Sequence, residues 1–408
     1  MKEAEDRFEQ LLELARRLEN RKSDLQGAAA ADAGFPVSVT GMEVDLAVGY
    51  LRTMEEEIPW IENGRPYGVV AAIFPYDGHA IMLARLGGAA LITGNRLRFS
   101  FSSQTPRSAG VMAEICKSIG ALDPVVGMNN REFGDQCVKD HAVRVLFMSG
   151  GSEVGQAYRG RREAFDKLLF AGPGGMPAAV VFQDAEVEKA SRFIAGRAFL
   201  NGGQYCTTLK KALIHRSLYD AVRDRVLEMT AQLRVGDPLD PDTSIGPIRV
   251  QRTRLMLEKA IERCSEARLL CGKVNSETVH PIIVEAQSDW TIPDLELFGP
   301  FLLLKAFDDP ERAVHELIAT RYGFYLSFFG SAAGDYLRLF RENFGMVYDN
   351  PEYFLPMLRA LFGGRKESGW IIERRDGRWV TRDGAFDYSR ELVRPQPGQG
   401  EGDEPERD

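Results

Sequence analysis

Apolar segments alternate with helical segments along the first part of the chain, and this alternation limits the possible folds most strongly. Residues 67–74 form an apolar run between turn-forming residues, which predicts a buried strand. Residues 80–90 are predicted as a helix, followed by strands at 96–102 and 143–148. Strands that alternate with helices predict a parallel, doubly wound sheet of an α/β protein.

The same alternation begins again after the glycine-rich stretch AGPGGMP. Residues 178–182 and 210–215 are predicted as strands, and residues 186–199 and 219–233 as helices. The chain is therefore expected to hold a second α/β unit. We predict a cofactor domain at 1–170 and a catalytic domain at 171–370.

The remaining C-terminal residues differ in character. Residues 371–394 are expected to be strand-rich around Asp-Gly turns, and edge strands of this kind tend to be covered by another subunit. They are therefore predicted as an oligomerisation segment. Residues 395–408 consist mainly of proline, glycine and acidic residues, so they are predicted to be disordered.

Composition excludes several classes of function. The 408 residues carry a net charge of −8 with dispersed basic residues, which argues against a nucleic-acid partner. No apolar run long enough to span a bilayer and no secretory leader is evident, so no membrane partner is expected. Five cysteines without close pairing favour a reduced, cytoplasmic setting. The five dispersed histidines make a metal site unexpected.

Cys206 has an unusual local sequence, NGGQYCTT, between a predicted helix and a predicted strand. A buried cysteine often packs as a small hydrophobe. However, loops between rigid elements commonly present reactive groups, and glycines leave backbone amides free to bind an oxyanion. Cys206 is therefore a candidate nucleophile, provided that its surroundings lower its pKa.

Six segments in succession resemble motifs of the aldehyde dehydrogenase superfamily. They are PYGVVAAIFPYDG, LGGAALITGNRLRFSFSSQTP, FMSGGSEVGQAY, NGGQYC with RVGDPLDPDTSIGP, ELFGPFLLLKAFDD and FGGRKESG. Each motif alone is weak, but their common order covers most of the chain. The resemblance implies an aldehyde dehydrogenase-like fold, with a Rossmann-type cofactor domain, a second α/β catalytic domain and a small strand-rich oligomerisation region.

The resemblance also implies a site and a reaction. Cys206 would attack an aldehyde, form a thiohemiacetal and then a thioester, while NAD or NADP takes the hydride. The residues implied for the chemistry are Cys206, Asp77 and Gln204. Those implied for cofactor binding are Phe74, Pro75, Tyr76, Ser100, Ser103, Gly150, Gly151, Glu296 and Phe298.

This sequence departs from the family pattern at four positions. Ser100 stands where the family has a lysine that binds the cofactor ribose, and Ser103 where it has an acidic residue, so weak cofactor binding is expected. Asp77 replaces the asparagine that helps to hold the oxyanion, and its charge would oppose an oxyanion. Ala171 occupies the position of the family's general base.

These departures leave alternatives open. AGPGGMP resembles a stretch of the CoA-acylating branch, in which CoA rather than water releases the acyl group, so CoA is a possible second cofactor. The residues around Cys206 resemble the hydrolytic branch instead. A divergent, non-oxidising homologue that serves as a structural or partner-binding subunit is the third hypothesis.

The resemblance further implies assembly. Residues 58–68 stand where the family projects a hairpin arm, and they are predicted as a short arm. A homodimer or homotetramer that acts on a small aldehyde is the resulting expectation.

Overall fold

Two mostly parallel sheets organise the chain in a computed structural model. It describes residues 2–150, 155, 157–158, 161, 166–172, 174–264, 266–287, 294, 297–352, 358–375 and 378–394. Its α-helices are Lys2–Asn20, Lys22–Ala33, Val37–Arg52, Ile58–Ile61, His79–Met82, Gly88–Thr93, Pro106–Cys116, Asn130–Lys139, Val187–Phe199, Arg216–Ala231, Gln251–Arg263, Pro310–Ile318, Leu337–Asn343 and Tyr388–Glu391. Tighter 3-10 turns cover Met54–Glu57, Leu200–Gly203 and Ser331–Tyr336, and a π-helical turn covers Leu83–Gly87.

The first sheet is built mainly from the N-terminal half of the chain. Its seven described strands, in spatial order, are Arg378–Arg382, Trp370–Arg375, Leu168–Ala171, Val143–Met148, Val69–Ile73, Arg96–Ser100 and Leu122–Val125. The last five strands of this order run parallel, and the first two form an antiparallel hairpin at the edge. A parallel sheet needs both faces covered, so its strands read as nearly continuous apolar runs.

The second sheet uses residues from the middle of the chain. Its seven described strands, in spatial order, are Met346–Asp349, Tyr325–Phe329, Ala178–Val181, Lys211–His215, Phe301–Phe307, Ile282–Ala286 and Arg268–Cys271. All but the last run parallel. Three short pairs add to the two sheets: Arg65–Pro66 with Val393–Arg394, Val274–Asn275 with Thr278–Val279, and Tyr322–Gly323 with Arg365–Lys366.

The predicted alternation of strands and helices agrees with these two sheets. The strand predicted at 143–148 has the bounds Val143–Met148, and the helix predicted at 186–199 is Val187–Phe199. The segment predicted as one helix at 80–90 is a longer helical stretch that contains the π-helical turn Leu83–Gly87.

The N-terminal helix Lys22–Ala33 lacks the sequence signal of an amphipathic helix. It contains a run of four alanines, and alanine favours helix without giving the periodic apolar signal of an amphipathic helix. Five of its residues are buried, mainly alanines, and it packs against Val37–Arg52 and Pro106–Cys116.

The strand-rich C-terminal segment joins the first sheet. Trp370–Arg375 pairs with Leu168–Ala171, and Arg378–Arg382 pairs with Trp370–Arg375. Residues 58–68, predicted as a short arm, hold a helical turn, Ile58–Ile61, and a short strand, Arg65–Pro66, that pairs with Val393–Arg394. The proline and buried Ile61 favour that turn. The role of both segments in assembly stays a prediction, and the tail at 395–408 lies outside the described residues.

No helix in the described part of the chain combines the length and apolar character that crossing a bilayer requires.

Candidate active site

A cavity of about 400 Å³ opens where the first sheet meets the loop that carries Cys206. It is lined by residues that directly follow three neighbouring strands: Ile73 to Gly78, Ser102 to Gln104, and Ser149 with Gly150. The carboxyl ends of parallel strands meet at one edge of a sheet, where α/β proteins bind ligands. The opposite wall is formed by Tyr205, Cys206 and Thr207 and by the helix Gln251–Arg263.

The loop before Cys206 has a backbone that constrains its sequence. After the helix Val187–Phe199, Asn201, Gly202 and Gly203 have φ angles of +52°, +59° and +70°. A Cβ at Gly203 would lie 2.0 Å from the carbonyl oxygen of Gly299, so only glycine fits this contact. The loop is thereby held against the turn that follows Phe298.

Lys210 fixes the same two backbone segments from inside the protein. Its fully buried Nζ donates to the carbonyl oxygens of Gly203 and Gly299, at 2.8 and 2.7 Å. The Gly299 amide also donates to the Gly203 carbonyl oxygen at 2.8 Å. These bonds set the backbone from which Cys206 projects.

Cys206 lines the cavity with a protonated thiol at neutral pH. Desolvation, and next the nearby Asp77 carboxylate, raise the pKa of Cys206 to about 12. Arg85 and Arg197 act in the opposite direction. A resting thiol of this kind is inert, so nucleophilic attack requires a group that takes its proton.

Asp77 is buried in the same cavity as Cys206. Desolvation raises the pKa of Asp77 to about 7, because burial disfavours the charged carboxylate. Asp77 is therefore partly ionised at neutral pH. Its neutral form can donate a hydrogen bond to an oxyanion, whereas its ionised form repels one.

Gln204 lies behind the cavity wall. It is buried, its Nε2 donates to the Asn201 carbonyl oxygen at 3.4 Å, and its Oε1 lies 3.5 Å from the hydroxyl of Tyr76. The ring of Tyr76 in turn lies 5.9 Å from that of Phe298. Gln204 thus supports Tyr76 and the loop instead of facing the cavity.

The residues predicted for cofactor binding fall into three groups. Phe74, Pro75, Tyr76, Ser103, Gly150 and Phe298 line the cavity. Ser100 does not line it: it is fully buried and its hydroxyl donates to Asn130 Oδ1 at 2.9 Å, and Asn130 is the residue that reaches the cavity. The side chain of Ser100 is too short to pass Asn130. Gly151 and Glu296 lie outside the described residues.

Three charged residues of the cavity, Glu43, Arg85 and Arg252, were not predicted from the sequence. Arg85 lies on the π-helical turn Leu83–Gly87, with its guanidinium 4.4 Å from the ring centre of Phe362. Its Nε donates to the Leu358 carbonyl oxygen at 3.3 Å, and in the described part of the chain no carboxylate forms an ion pair with it. A single arginine within an otherwise apolar helical segment was the available signal.

Glu43 is the second unpredicted residue, on the helix Val37–Arg52. Its Oε1 accepts a hydrogen bond from the hydroxyl of Tyr205, the residue directly before Cys206. Burial raises the pKa of Glu43 to about 8, opposed by the Tyr205 hydrogen bond and assisted by Asp77. The signal in the sequence was a lone acid between Met42 and Val44.

Arg197 supports the Cys206 loop from its other side. It is fully buried, its Nε donates to the Thr207 carbonyl oxygen at 2.8 Å, and its guanidinium lies 5.1 Å from the ring centre of Tyr325. The loop is therefore held by hydrogen bonds from two buried basic side chains, Arg197 and Lys210, to its backbone.

Comparison with known proteins assigns the chain to a family. The sequence profile of the Aldehyde dehydrogenase family matches residues 2–383. The chain belongs to the aldehyde dehydrogenase family, as its motifs predicted.

Two relatives and one solved structure illustrate the similarity. Lactaldehyde dehydrogenase of Methanococcus vannielii is 26% identical over 389 residues, covering 89% of this chain and 83% of that protein. The 3-sulfolactaldehyde dehydrogenase of Priestia megaterium is 25% identical over 395 residues, covering 89% and 82%. Glyceraldehyde-3-phosphate dehydrogenase GapN of Methanocaldococcus jannaschii, solved as a complex with NADP, superposes with a TM-score of 0.82 at 24% identity, covering 96% and 88%. The predicted α/β fold is thereby confirmed.

Proposed function

We propose that this protein oxidises a small anionic aldehyde with NAD or NADP through a covalent intermediate on Cys206. The observation that supports this most strongly is the presence of a thiol and a buried guanidinium, Cys206 and Arg85, in one cavity of about 400 Å³ at the carboxyl edge of the first sheet. A cavity of this size suits a small ligand.

Charge in the cavity favours an anionic substrate. The guanidinium of an arginine such as Arg85 keeps its positive charge in proteins. Glu43, with its pKa raised to about 8, is mostly neutral at pH 7 and does not cancel that charge. Relatives are named both for the anionic 3-sulfolactaldehyde and for the neutral lactaldehyde, so the preference for an anionic substrate rests on Arg85.

The residues of the cavity rim fit a nicotinamide cofactor. Hydroxyl and amide groups of Ser102, Ser103, Gln104 and Asn130 offer hydrogen bonds to ribose and phosphate oxygens, and Gly150 permits close approach of the backbone. No lysine is among the described residues that line this cavity, so the adenosine end of the cofactor would be held without a lysine side chain. When bound, the cofactor supplies the hydride acceptor.

The side chains of the protein account for the remaining steps. The Cys206 thiol gives up its proton to solvent and the thiolate sulfur adds to the aldehyde carbon, while neutral Asp77 donates a hydrogen bond to the developing oxyanion. Arg85 orients the anionic end of the substrate. Loss of hydride from the thiohemiacetal leaves a thioester, which water or a thiol such as CoA cleaves to regenerate Cys206.

Arg85→Gln tests the substrate class. We expect the native protein to reduce NAD or NADP with anionic aldehydes in preference to neutral aldehydes of the same length. In Arg85→Gln, kcat/KM for the anionic aldehydes should fall about ten- to a hundredfold, because one charge-assisted hydrogen bond contributes about 1.5–3 kcal/mol. The neutral aldehydes serve as the internal control. Equal losses for both substrate types would argue against anion recognition by Arg85, and no reduction with any aldehyde would favour the non-oxidising hypothesis.

A further inference from the structure

The motif resemblance implies that this chain lacks a carboxylate at the position from which the family draws the general base for thioester hydrolysis. Ala171 occupies that position, and it borders a separate pocket of about 20 Å³ rather than the large cavity. Hydrolysis of an acyl group on Cys206 therefore needs a base from another element, or it proceeds slowly.

Among the described residues that line the Cys206 cavity, only Glu43 and Asp77 carry a carboxyl group. Asp77 is the carboxylate that raises the pKa of Cys206, so it acts on the sulfur directly. Glu43 interacts instead with Asp77 and with the hydroxyl of Tyr205. A general base can act through one water molecule, so it does not need to contact the sulfur itself.

The hydrogen bonding of Glu43 suits this task. Its Oε1 is held by Tyr205, while its Oε2 has no hydrogen-bond partner in the described part of the chain. Because Tyr205 directly precedes Cys206, one carboxylate oxygen is fixed relative to the nucleophile and the other is free to bind water. The burial of Glu43, which is 4% exposed, increases its basicity.

We infer that Glu43 is the general base that releases the acyl group from Cys206, on the basis of the proposed function of Cys206 as the nucleophile. The Glu43 carboxylate takes a proton from water, and the water oxygen attacks the thioester carbon. The carbon–sulfur bond then breaks, the Cys206 thiolate leaves, and the proton held by Glu43 returns to that sulfur. A carboxylic acid and a free thiol result.

A reaction without nicotinamide isolates this step. p-Nitrophenyl acetate can acetylate the Cys206 thiol with release of p-nitrophenol, after which water removes the acetyl group. Intact-mass analysis of samples taken over time gives the rate of deacetylation. We expect Glu43→Gln to acquire the acetyl group on Cys206 and to lose it about 10²–10⁴-fold more slowly than the native protein, the range typical of general base catalysis.

Glu57→Gln is the matched control. Glu57 is also a buried glutamate with a raised pKa, but it is hydrogen-bonded to Ser389 and does not line the large cavity. It should lose the acetyl group at the native rate. Equal deacetylation in native protein and Glu43→Gln would overturn the inference, and so would slowing in Asp77→Asn alone. No acetylation of Cys206 in any of these proteins would instead count against the proposed nucleophile.

The pH dependence of deacetylation gives a second test. Deacetylation should rise about tenfold per pH unit below the pKa of Glu43, about 8, and level off above it. The charged or titratable groups that border the same cavity are Tyr76, Asp77, Arg85, Tyr205, Cys206 and Arg252. Cys206, with a pKa of about 12, titrates too high to give this midpoint. A midpoint that persists in Asp77→Asn assigns the titration to Glu43 and not to Asp77, whose pKa is also raised. A rate that increases with hydroxide concentration throughout would contradict a role for Glu43.

Discussion

Asp77→Asn is expected to speed the addition of Cys206 to an electrophilic carbonyl by about a hundredfold at pH 8. At that pH Asp77, with a pKa of about 7, is mostly ionised and repels the developing oxyanion. Asparagine removes this charge and supplies an N–H donor, and one oxyanion-hole donor is worth about 10²–10³-fold in rate. Removal of the charge also lowers the pKa of Cys206, because Asp77 is one cause of its elevation.

The effect of Asp77→Asn on the rate of addition should depend on pH. Below pH 7 native Asp77 is neutral and can donate, so the two proteins should differ least there. Above pH 7 the growing thiolate fraction is offset in the native protein by ionisation of Asp77, whereas in Asp77→Asn the rate keeps rising. The rate of the acetylation burst with p-nitrophenyl acetate measures this addition step in both proteins. Asp349→Asn changes the net charge equally at an exposed position outside the cavity, and should behave as native. Equal burst rates in native protein and Asp77→Asn would place the carboxylate away from the reacting carbonyl.

Gly203→Ala is expected to destabilise the protein and to abolish the reactivity of Cys206. An alanine at φ +70° costs about 1–2 kcal/mol. The clash of its Cβ with the Gly299 carbonyl oxygen adds about 1–3 kcal/mol, the usual cost of forcing an atom into a packed interior. The catalytic loop would separate from the turn at Phe298, which moves Cys206 out of the cavity.

Thermal and urea unfolding measure the loss of stability. The rate of alkylation of Cys206 in the folded protein measures the loss of reactivity. Gly110→Ala is the matched control, because Gly110 lies in the helix Pro106–Cys116 and a Cβ at this position would meet no atom within 4 Å. Alanine there should stabilise the protein by about 0.5–1 kcal/mol. A stable, fully reactive Gly203→Ala protein would show that the contact between the two loops is not needed.

The strands and the candidate nucleophile could be predicted from the sequence because their signals are local. Apolar runs bounded by turn residues predicted the strand Val69–Ile73, and the glycines before Cys206 marked a loop suited to a reactive group. The match of residues 2–383 to the family confirmed the fold that six ordered motifs had predicted.

The charged residues of the cavity could not be predicted from the sequence in this way. Glu43, Arg85 and Cys206 are separated by dozens of residues, and only tertiary packing brings them to one cavity. In the sequence, Glu43 and Arg85 are charges within largely apolar helical segments, and charged residues of a helix usually face solvent. The buried position of Ser100 behind Asn130 likewise depends on how the strand Arg96–Ser100 meets a helix far along the chain.

Intact-mass analysis of protein quenched during aldehyde oxidation decides whether Cys206 carries the acyl group. Native protein mixed with NAD or NADP and a reactive anionic aldehyde should show a burst of reduced nicotinamide and an acyl adduct that maps to Cys206. Cys206→Ala should show neither, and added CoA should shorten the slow phase if it releases the acyl group. Oxidation by Cys206→Ala at the native rate, or an adduct on another residue, would contradict the assignment of Cys206 as the nucleophile.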